Sequence, residues 1–235
     1  MEAIILAGGK ATRLGDAARG LPKALVPIAG KPIAAYQVAQ LVDAGVERII
    51  VSCAGGQDAF FAEQLTGLGA EIVTAAEPEA LGRGGGLRFA AQKRRESGPV
   101  YALNGDELQD VDLRAMVEAH RASRAAATIV VAPLQSQFGV VELDGEDRVV
   151  GFREAPRLPH WVSAGVYVLD DEAFERMPET GDHERSTFPA LAAEGKLYGF
   201  RHEGVWITVN TPKDLRRAEE HFGRRLSKGQ TPSGV

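Results

Sequence analysis

An α/β protein with a mainly parallel sheet is the fold class this sequence predicts, on three observations. Short apolar runs recur at Ala3 to Ala7, Arg48 to Cys53, Glu71 to Thr74 and Val100 to Leu103. Runs with no polar alternation read as strands buried on both faces, the pattern of a parallel sheet. Helical-period segments separate them, so the order is β-α-β-α-β, which calls for right-handed crossovers and helices on both faces. Glycine-rich stretches follow the first and third strands, and Asn104-Gly105-Asp106 follows the fourth. Open α/β sheets place their ligands at those carboxyl ends.

The elements follow in order. After the first strand and its glycines, residues 32–44 form a helix. Pro32 is expected at its first position, Ala34, Val38, Leu41 and Val42 lie on one face, and Gly45 caps its end. Residues 57–68 are a second helix, with Phe60, Phe61, Leu65 and Leu68 on its buried side. The stretch from Glu77 to Arg88 reads as a second glycine-rich loop opening onto a helix that carries Leu87, Ala90 and Ala91. Residues 112–124 are helical, with Leu113, Met116, Val117 and His120 together. From residue 127 the pattern turns strand-rich: Ala127 to Ala132, Gly139 to Leu143, a turn at Asp144 to Asp147, and a return over Arg148 to Arg153. Trp161 to Leu169, Leu197 to His202 and Val205 to Val209 are further strands, and residues 187–194 a short helix. Thr211 is placed to cap a last amphipathic helix with Pro212 at its first position.

Bulk properties narrow the function. The chain has 235 residues, 44% of them hydrophobic, enough for a sizeable core. We divide it into one domain over residues 1–226, with halves at 1–125 and 126–210, and a polar tail at 227–235 that is expected to be disordered. The net charge of −5 supports neither a nucleic-acid partner nor a membrane surface. A single cysteine, Cys53, rules out an intrachain disulfide and a cysteine zinc site; in an apolar run it reads as a core residue. No basic leader or membrane-length apolar run is present, so a cytoplasmic protein is expected.

The candidate chemistry lies at the beginning of the chain. Gly8 and Gly9 end the first strand and let backbone N–H groups approach a bulky anion. Arg13 and Lys23 bring two positive charges to the same loop. Strand, glycines and cations together suit a polyphosphate. The spacing matches neither the dinucleotide fingerprint G-x-G-x-x-G nor the P-loop. No nucleophile elbow or Ser-His-Asp set appears, so a covalent intermediate is not expected. His120 reads as a helix-edge residue, and His183 and His202 lack partners at metal-ligand spacing.

These residues resemble a known family. Gly8-Gly9-Lys10-Ala11-Thr12-Arg13-Leu14, followed by Leu21-Pro22-Lys23, is similar to the G-G-x-(G/A)-T-R-L…P-K loop of sugar-1-phosphate nucleotidyltransferases. Leu103-Asn104-Gly105-Asp106, Glu77…Leu81-Gly82-Arg83-Gly84-Gly85 and Trp206 to Leu215 resemble further elements of that family. The resemblance covers residues 2–222. It implies a Rossmann-like, doubly wound mixed sheet with a β-rich sugar-binding insertion. It also implies transfer of a nucleoside monophosphate from an NTP, with GTP or UTP favoured, to a sugar 1-phosphate by direct in-line attack. By this resemblance Arg13, Lys23 and Asp106 are catalytic, and Asp106 holds Mg²⁺. Leu6, Ala7, Gly8, Gly9, Thr12, Glu77, Gly82, Asn104 and Gly105 bed the nucleotide. Gly139, Glu154 and Ser163 bind the sugar phosphate.

The sugar half departs from the family pattern. Ala155 stands in place of the phosphate-binding Lys, leaving Arg153, Arg157 or His160 to supply charge. Ser163 replaces Asn. Thr208 replaces the Asp that is the family's second metal ligand, and a hydroxyl is a poor substitute for a carboxylate on a hard cation. Asn210 carries an oxygen that the sequence does not place. Arg83, where the family has Thr, either reaches phosphate or is solvated. An unusual acceptor, such as a cyclitol, polyol or choline phosphate, and a regulatory protein that binds nucleotide without catalysis therefore both stay open.

Overall fold

The protein is described by a computed structural model covering residues 1–227, with side chains to residue 222. The expected disordered tail, apart from Ser227, lies outside the described residues. Beyond β1 (Glu2–Leu6) and a 3-10 stretch at Thr12–Ala18, the first half contains β2 (Pro27–Ile28), β3 (Lys31–Pro32), α1 (Ile33–Asp43), β4 (Arg48–Ala54), α2 (Asp58–Leu65), β5 (Glu71–Glu77), α3 (Gly82–Ala91), β6 (Val100–Asn104), β7 (Glu107–Gln109) and α4 (Leu113–Ser123). The second half contains β8 (Ala127–Gln135), β9 (Val140–Leu143), β10 (Val149–Arg153), β11 (Arg157–Leu169), α5 (Asp171–Glu175), α6 (Thr187–Ala193), β12 (Leu197–Arg201), β13 (Trp206–Thr208) and α7 (Pro212–Ser227).

The strands β12-β8-β11-β6-β1-β4-β5 make a seven-stranded sheet. β5, β4, β1 and β6 run parallel. β11 is antiparallel to both β6 and β8, so the sheet is mixed, as the resemblance implied. Period-2 alternation splits each central strand between two cores. Ala3, Ile5, Ile49, Val51, Tyr101 and Leu103 belong to one. Ile4, Ile50, Val100 and Ala102 belong to the other. β1 has β4 and β5 on one side and β6 on the other, so the order reverses beside it, where such sheets bind ligands.

A third core sits below the site rather than under the sheet. Leu14, Val26, Ile28, Ile33, Leu108, Ile207, Val209, Ala218 and Phe222 pack together. They join the first loop, the β7–β13 ladder and α7 into one support. The capping expected at Thr211 is present, since Asp214 N–H reaches Thr211 Oγ1 at 3.3 Å and Thr211 N–H donates back to Asp214 Oδ2 at 2.8 Å.

Several boundaries differ from the sequence reading. Pro32 stands just outside α1 with ψ 146°, because its extended conformation suits the cap position and not the helix. Gly45, at φ 90°, follows the capping residue Ala44. The second glycine stretch is mostly helix: α3 starts at Gly82, and Gly84 to Gly86 lie in its first turns. Packing overrides their poor helix propensity. Gly84 and Gly85 N–H groups donate to the Gly181 carbonyl at 2.8 and 3.2 Å, and a Cβ on Gly85 would lie 2.4 Å from the Glu179 carbonyl oxygen. β11 begins at Arg157, before the predicted Trp161, and β7 and α5 are elements that sequence periodicity did not show. Among the described residues no helix is long and apolar enough to cross a membrane.

Candidate active site

Two loops at the switch point are stitched together by backbone. Gly105 N–H donates to the Leu6 carbonyl at 2.8 Å, and Lys23 N–H to the Gly9 carbonyl at 3.3 Å. A Cβ on Gly105 would lie 2.6 Å from the Leu6 oxygen and 3.1 Å from Ala24 Cβ, so only glycine permits this approach. A Cβ on Gly9 would meet nothing within 4 Å. Leu6 and the buried Ala7 anchor the loop, while Gly8 and Gly9 are exposed, Gly8 against Glu77 and Ala54 and Gly9 facing open space.

Four polar side chains converge beside these glycines. Lys23 Nζ lies 2.5 Å from Asp106 Oδ2 and donates to Asn210 Oδ1 at 2.6 Å. Arg13 Nη2 donates to the same Asn210 oxygen at 2.9 Å. Thr12 and Arg13 are carried by the 3-10 stretch whose Leu14 is buried in the third core. Asn210 leaves β13 directly after Val209, whose N–H donates to the Asp106 carbonyl at 2.9 Å. Its own N–H donates to Asp214 Oδ2 at 3.1 Å, which holds the turn. The structure thus brings Arg13, Lys23 and Asp106 into one cluster, with Asn210 at its hub.

Glu107 escaped the sequence reading. It is buried, and its Oε2 accepts from Thr208 Oγ1 at 2.7 Å and Trp206 Nε1 at 2.8 Å. Burial and the neighbouring Asp106 charge push its carboxyl up to about 8, against the lowering effect of the two hydrogen bonds. Thr208 therefore spends its hydroxyl on Glu107. The signal in the sequence was a second carboxylate directly after Asp106, at the start of a three-residue strand too short for periodicity to reveal.

The second glycine segment is anchored inward. Glu77 is buried, and its carboxylate accepts from Ser52 Oγ at 2.7 Å and from Leu81 N–H at 3.2 Å. Gly82 has φ 76° and packs on Gly181, where a Cβ would lie 2.7 Å from the carbonyl oxygen. Arg83 stays exposed to solvent, one of the two expectations made for it, while holding acidic partners. It is ion-paired with Asp182 at 3.5 Å and Glu184 at 2.9 Å, acidic partners nearly a hundred residues away that local sequence does not reveal.

The sugar-side candidates form two groups. Asn104 Nδ2 donates to Tyr167 Oη at 3.5 Å, and Ser163 lies on the same strand, β11, as Tyr167. Gly165, at φ 71°, makes this possible, because a Cβ there would lie 2.6 Å from Asn104 Nδ2. Gly139 and Glu154 meet on the β9–β10 hairpin, where a Cβ on Gly139 would be 3.1 Å from Glu154 Oε2. Two of the cations that could replace the family's Lys are engaged elsewhere: Arg153 with Glu142 at 3.0 Å, and Arg157 with Glu203 at 2.9 Å.

The remaining titratable candidates are structural. His120 Nδ1 bonds the Thr128 hydroxyl at 2.9 Å. His183 is fully buried against Tyr167 and Phe188, at ring-centroid distances of 5.2 and 4.6 Å, and burial followed by the Arg83 charge pushes it down to about 4. His202 lies 3.1 Å from Asp110. Cys53 is buried, and its thiol is pushed up to about 11 by that burial and by Asp58 and Glu77. Among the described residues no group of three or more His, Cys, Asp or Glu is placed to hold a metal.

This is the sheet and the loop arrangement of a nucleotide-handling α/β protein, and comparison with known proteins agrees. Residues 2–224 match the family model described as Nucleotidyl transferase. A mannose-1-phosphate guanylyltransferase of Mycobacterium tuberculosis is 34% identical over 237 residues, covering 97% of this chain and 66% of the relative. The crystal structure of HddC from Yersinia pseudotuberculosis covers 94% of this chain and 99% of its own, with TM-score 0.74 at 24% identity. The same protein complexed with GMP-PN gives a TM-score of 0.72 over the same shares at 24% identity. The chain belongs to the nucleotidyl transferase family. It spans just under two thirds of the length of the curated relative above.

Proposed function

We propose that this protein transfers GMP from GTP to a sugar 1-phosphate, releasing pyrophosphate and forming a GDP-sugar. The observation that carries this reading is the meeting of Arg13, Lys23, Asp106 and Asn210 in the loops that carry the exposed Gly8 and Gly9. Guanine is favoured because the Mycobacterium tuberculosis relative is a guanylyltransferase and the matched HddC structure holds GMP-PN.

In this reading an oxygen of the sugar phosphate attacks the α-phosphorus in line. The bond from that phosphorus to the bridging oxygen breaks, and pyrophosphate leaves with the electron pair. Catalysis is positioning and charge neutralisation, with no side-chain nucleophile. Arg13 takes the β- and γ-phosphates and Lys23 the α-phosphate. Leu6, Ala7, Gly8, Gly9, Thr12, Gly82, Asn104 and Gly105 bed the nucleotide, and Glu77 positions that bed from beneath through Ser52 and Leu81. Gly139, Glu154 and Ser163 bind the acceptor.

Mg²⁺ suits the donor set at Asp106, because that ion binds through one or two carboxylates with substrate phosphates and water. It would neutralise charge shared between phosphates. Thr208 does not suit it, since its hydroxyl is committed to Glu107. One buried cysteine requires no oxidising compartment, which favours the cytoplasm.

The test is pyrophosphate release from purified protein with each NTP, against sugar 1-phosphates and against cyclitol, polyol and choline phosphates. Release should be fastest with GTP and a sugar 1-phosphate. Preference for another acceptor would redirect the assignment, and nucleotide binding without any release would mark a non-catalytic binder.

A further inference from the structure

We infer that the acceptor carries a second acidic group at the end of its sugar away from the reacting phosphate, and that Arg201, lying on the Trp161 ring, reads it. Resting on the nucleotidyl-transfer reading above, this narrows the acceptor to a sugar 1-phosphate bearing a further phosphate or carboxylate.

Three strands bring the residues together. Arg201 ends β12 and pairs with Val131 of β8, while Val131 pairs on its other side with Ser163 of β11. Trp161 lies two residues before Ser163, opposite Pro133. Paired and alternate residues point to one face of a sheet, so Arg201, Trp161 and Ser163 share theirs. It is the face of Tyr167, where the second core and α3 lie. Two guanidiniums flank the one indole: Arg201 Cζ is 5.2 Å from the Trp161 ring centroid and Arg157 Cζ 5.5 Å.

β11 runs antiparallel to β6, so its early residues project past Asn104 at the ligand edge of the sheet. Gly165 stands against Asn104. Trp161 is four residues farther out, about 13 Å at the rise of an extended strand. That is too far for the phosphate proposed to react beside Lys23 and Asp106. It suits the opposite end of a sugar whose middle lies by Ser163.

The two arginines differ in what they have left to give. Arg157 is paired with Glu203 at 2.9 Å. Among the described residues no acceptor takes the side-chain N–H groups of Arg201. Glu203 is held below the usual carboxylate range chiefly by its hydrogen bond to Arg157, with a weaker pull from Arg201. Two guanidiniums against one carboxylate leave a net positive charge. A guanidinium over a ring engages the π face and keeps its planar N–H fork for a bidentate anion. Trp161 is 37% exposed, so aromatic surface beside that fork is open to the C–H face of a sugar.

Pyrophosphate release with GTP tests this, comparing a neutral hexose 1-phosphate with the matching hexose bisphosphate, phosphorylated at both ends, and with the matching hexuronic acid 1-phosphate. The wild type should favour one of the acidic acceptors by roughly tenfold or more in kcat/KM, mainly through KM, as a hydrogen bond to a charged group is worth. Which one it favours tells phosphate from carboxylate. Arg201→Gln should bring the acidic-to-neutral ratio close to one. Arg201→Lys should restore only part of it, because an ammonium lacks the bidentate fork. Trp161→Phe, which keeps a ring beneath Arg201, should lower the ratio less than Trp161→Ala. A role confined to packing would shift the melting temperature of these variants and leave the ratio alone. A wild type that prefers the neutral acceptor to both acidic ones overturns the inference, and so does a wild-type ratio in Arg201→Gln. If pyrophosphate forms best with the neutral acceptor, only this inference fails; if none forms with any acceptor and any NTP, the functional reading fails and takes this one with it.

Discussion

The two sides of the cleft are built on different principles. The side proposed to take the phosphates is tied at every level: backbone to backbone at Gly105 and Leu6, side chain to side chain at Lys23, Asp106 and Asn210, with a dedicated apolar core beneath. Lys23 is only 8% exposed. The side proposed to take the acceptor rests on a two-stranded ribbon. Val141 pairs with Phe152 and Leu143 with Val149, so one face of the ribbon is apolar. That face stands in water, with Phe152 64% exposed and the adjoining Phe138 76%. Two-stranded ribbons are marginal by themselves. The contrast teaches that the polar cluster is held in place before any substrate, as the proposed electrostatic catalysis requires, while the proposed acceptor residues stand on a more yielding element.

The largest expected effect breaks or confirms the first half of that contrast. Arg13→Ala should lower kcat/KM by roughly 100- to 1,000-fold, about 2.7–4 kcal/mol, with an unchanged melting temperature, if it neutralises charge as the phosphate bond breaks. Near-normal turnover in that variant would remove the phosphate side from the mechanism.

Next comes a pH effect from the second half of the chain. His183 is neutral in the fold, facing Tyr167, Glu184, Arg83 and Asp182, and is pushed down to about 4 from its ordinary value of 6.5. As pH falls through 6.5 the unfolded chain binds a proton that the native state refuses. Stability should therefore fall between pH 6.5 and 4, by up to about 3 kcal/mol. Denaturant unfolding across that range should show a flatter dependence in His183→Phe; an unchanged slope would acquit His183.

A smaller effect tests the tight packing of the phosphate side. Gly105→Ala forces the new methyl against the Leu6 carbonyl, so stability should drop about 1–3 kcal/mol. Arg153→Ala sets the lower bound. Its pair with Glu142 lies on the exposed ribbon, so the loss should stay below about 1 kcal/mol by thermal denaturation. A larger loss there would mean the ribbon is more firmly held than its exposure indicates.

Much of this molecule was legible in the chain before folding. The apolar runs of β1, β4 and β6 name their own buried strands, because the alternation of polar with apolar residues is absent where both faces are covered. Gly8, Gly9 and Gly105 mark where backbone comes close to backbone or lies bare, and Thr211 with Pro212 announces α7. All of these are decided by neighbours within a few residues. What only the tertiary structure decided are the meetings between distant segments. Asn210 reaches Lys23 across 187 positions and Thr208 reaches Glu107 across 101. Arg83 finds Asp182 99 residues on, and the neighbouring Gly181 carbonyl takes the Gly84 and Gly85 N–H groups. Such pairs depend on how the sheet orders its strands and how the third core seats β13 and α7 beside the first loop. That is a property of the packed whole, and no local pattern encodes it.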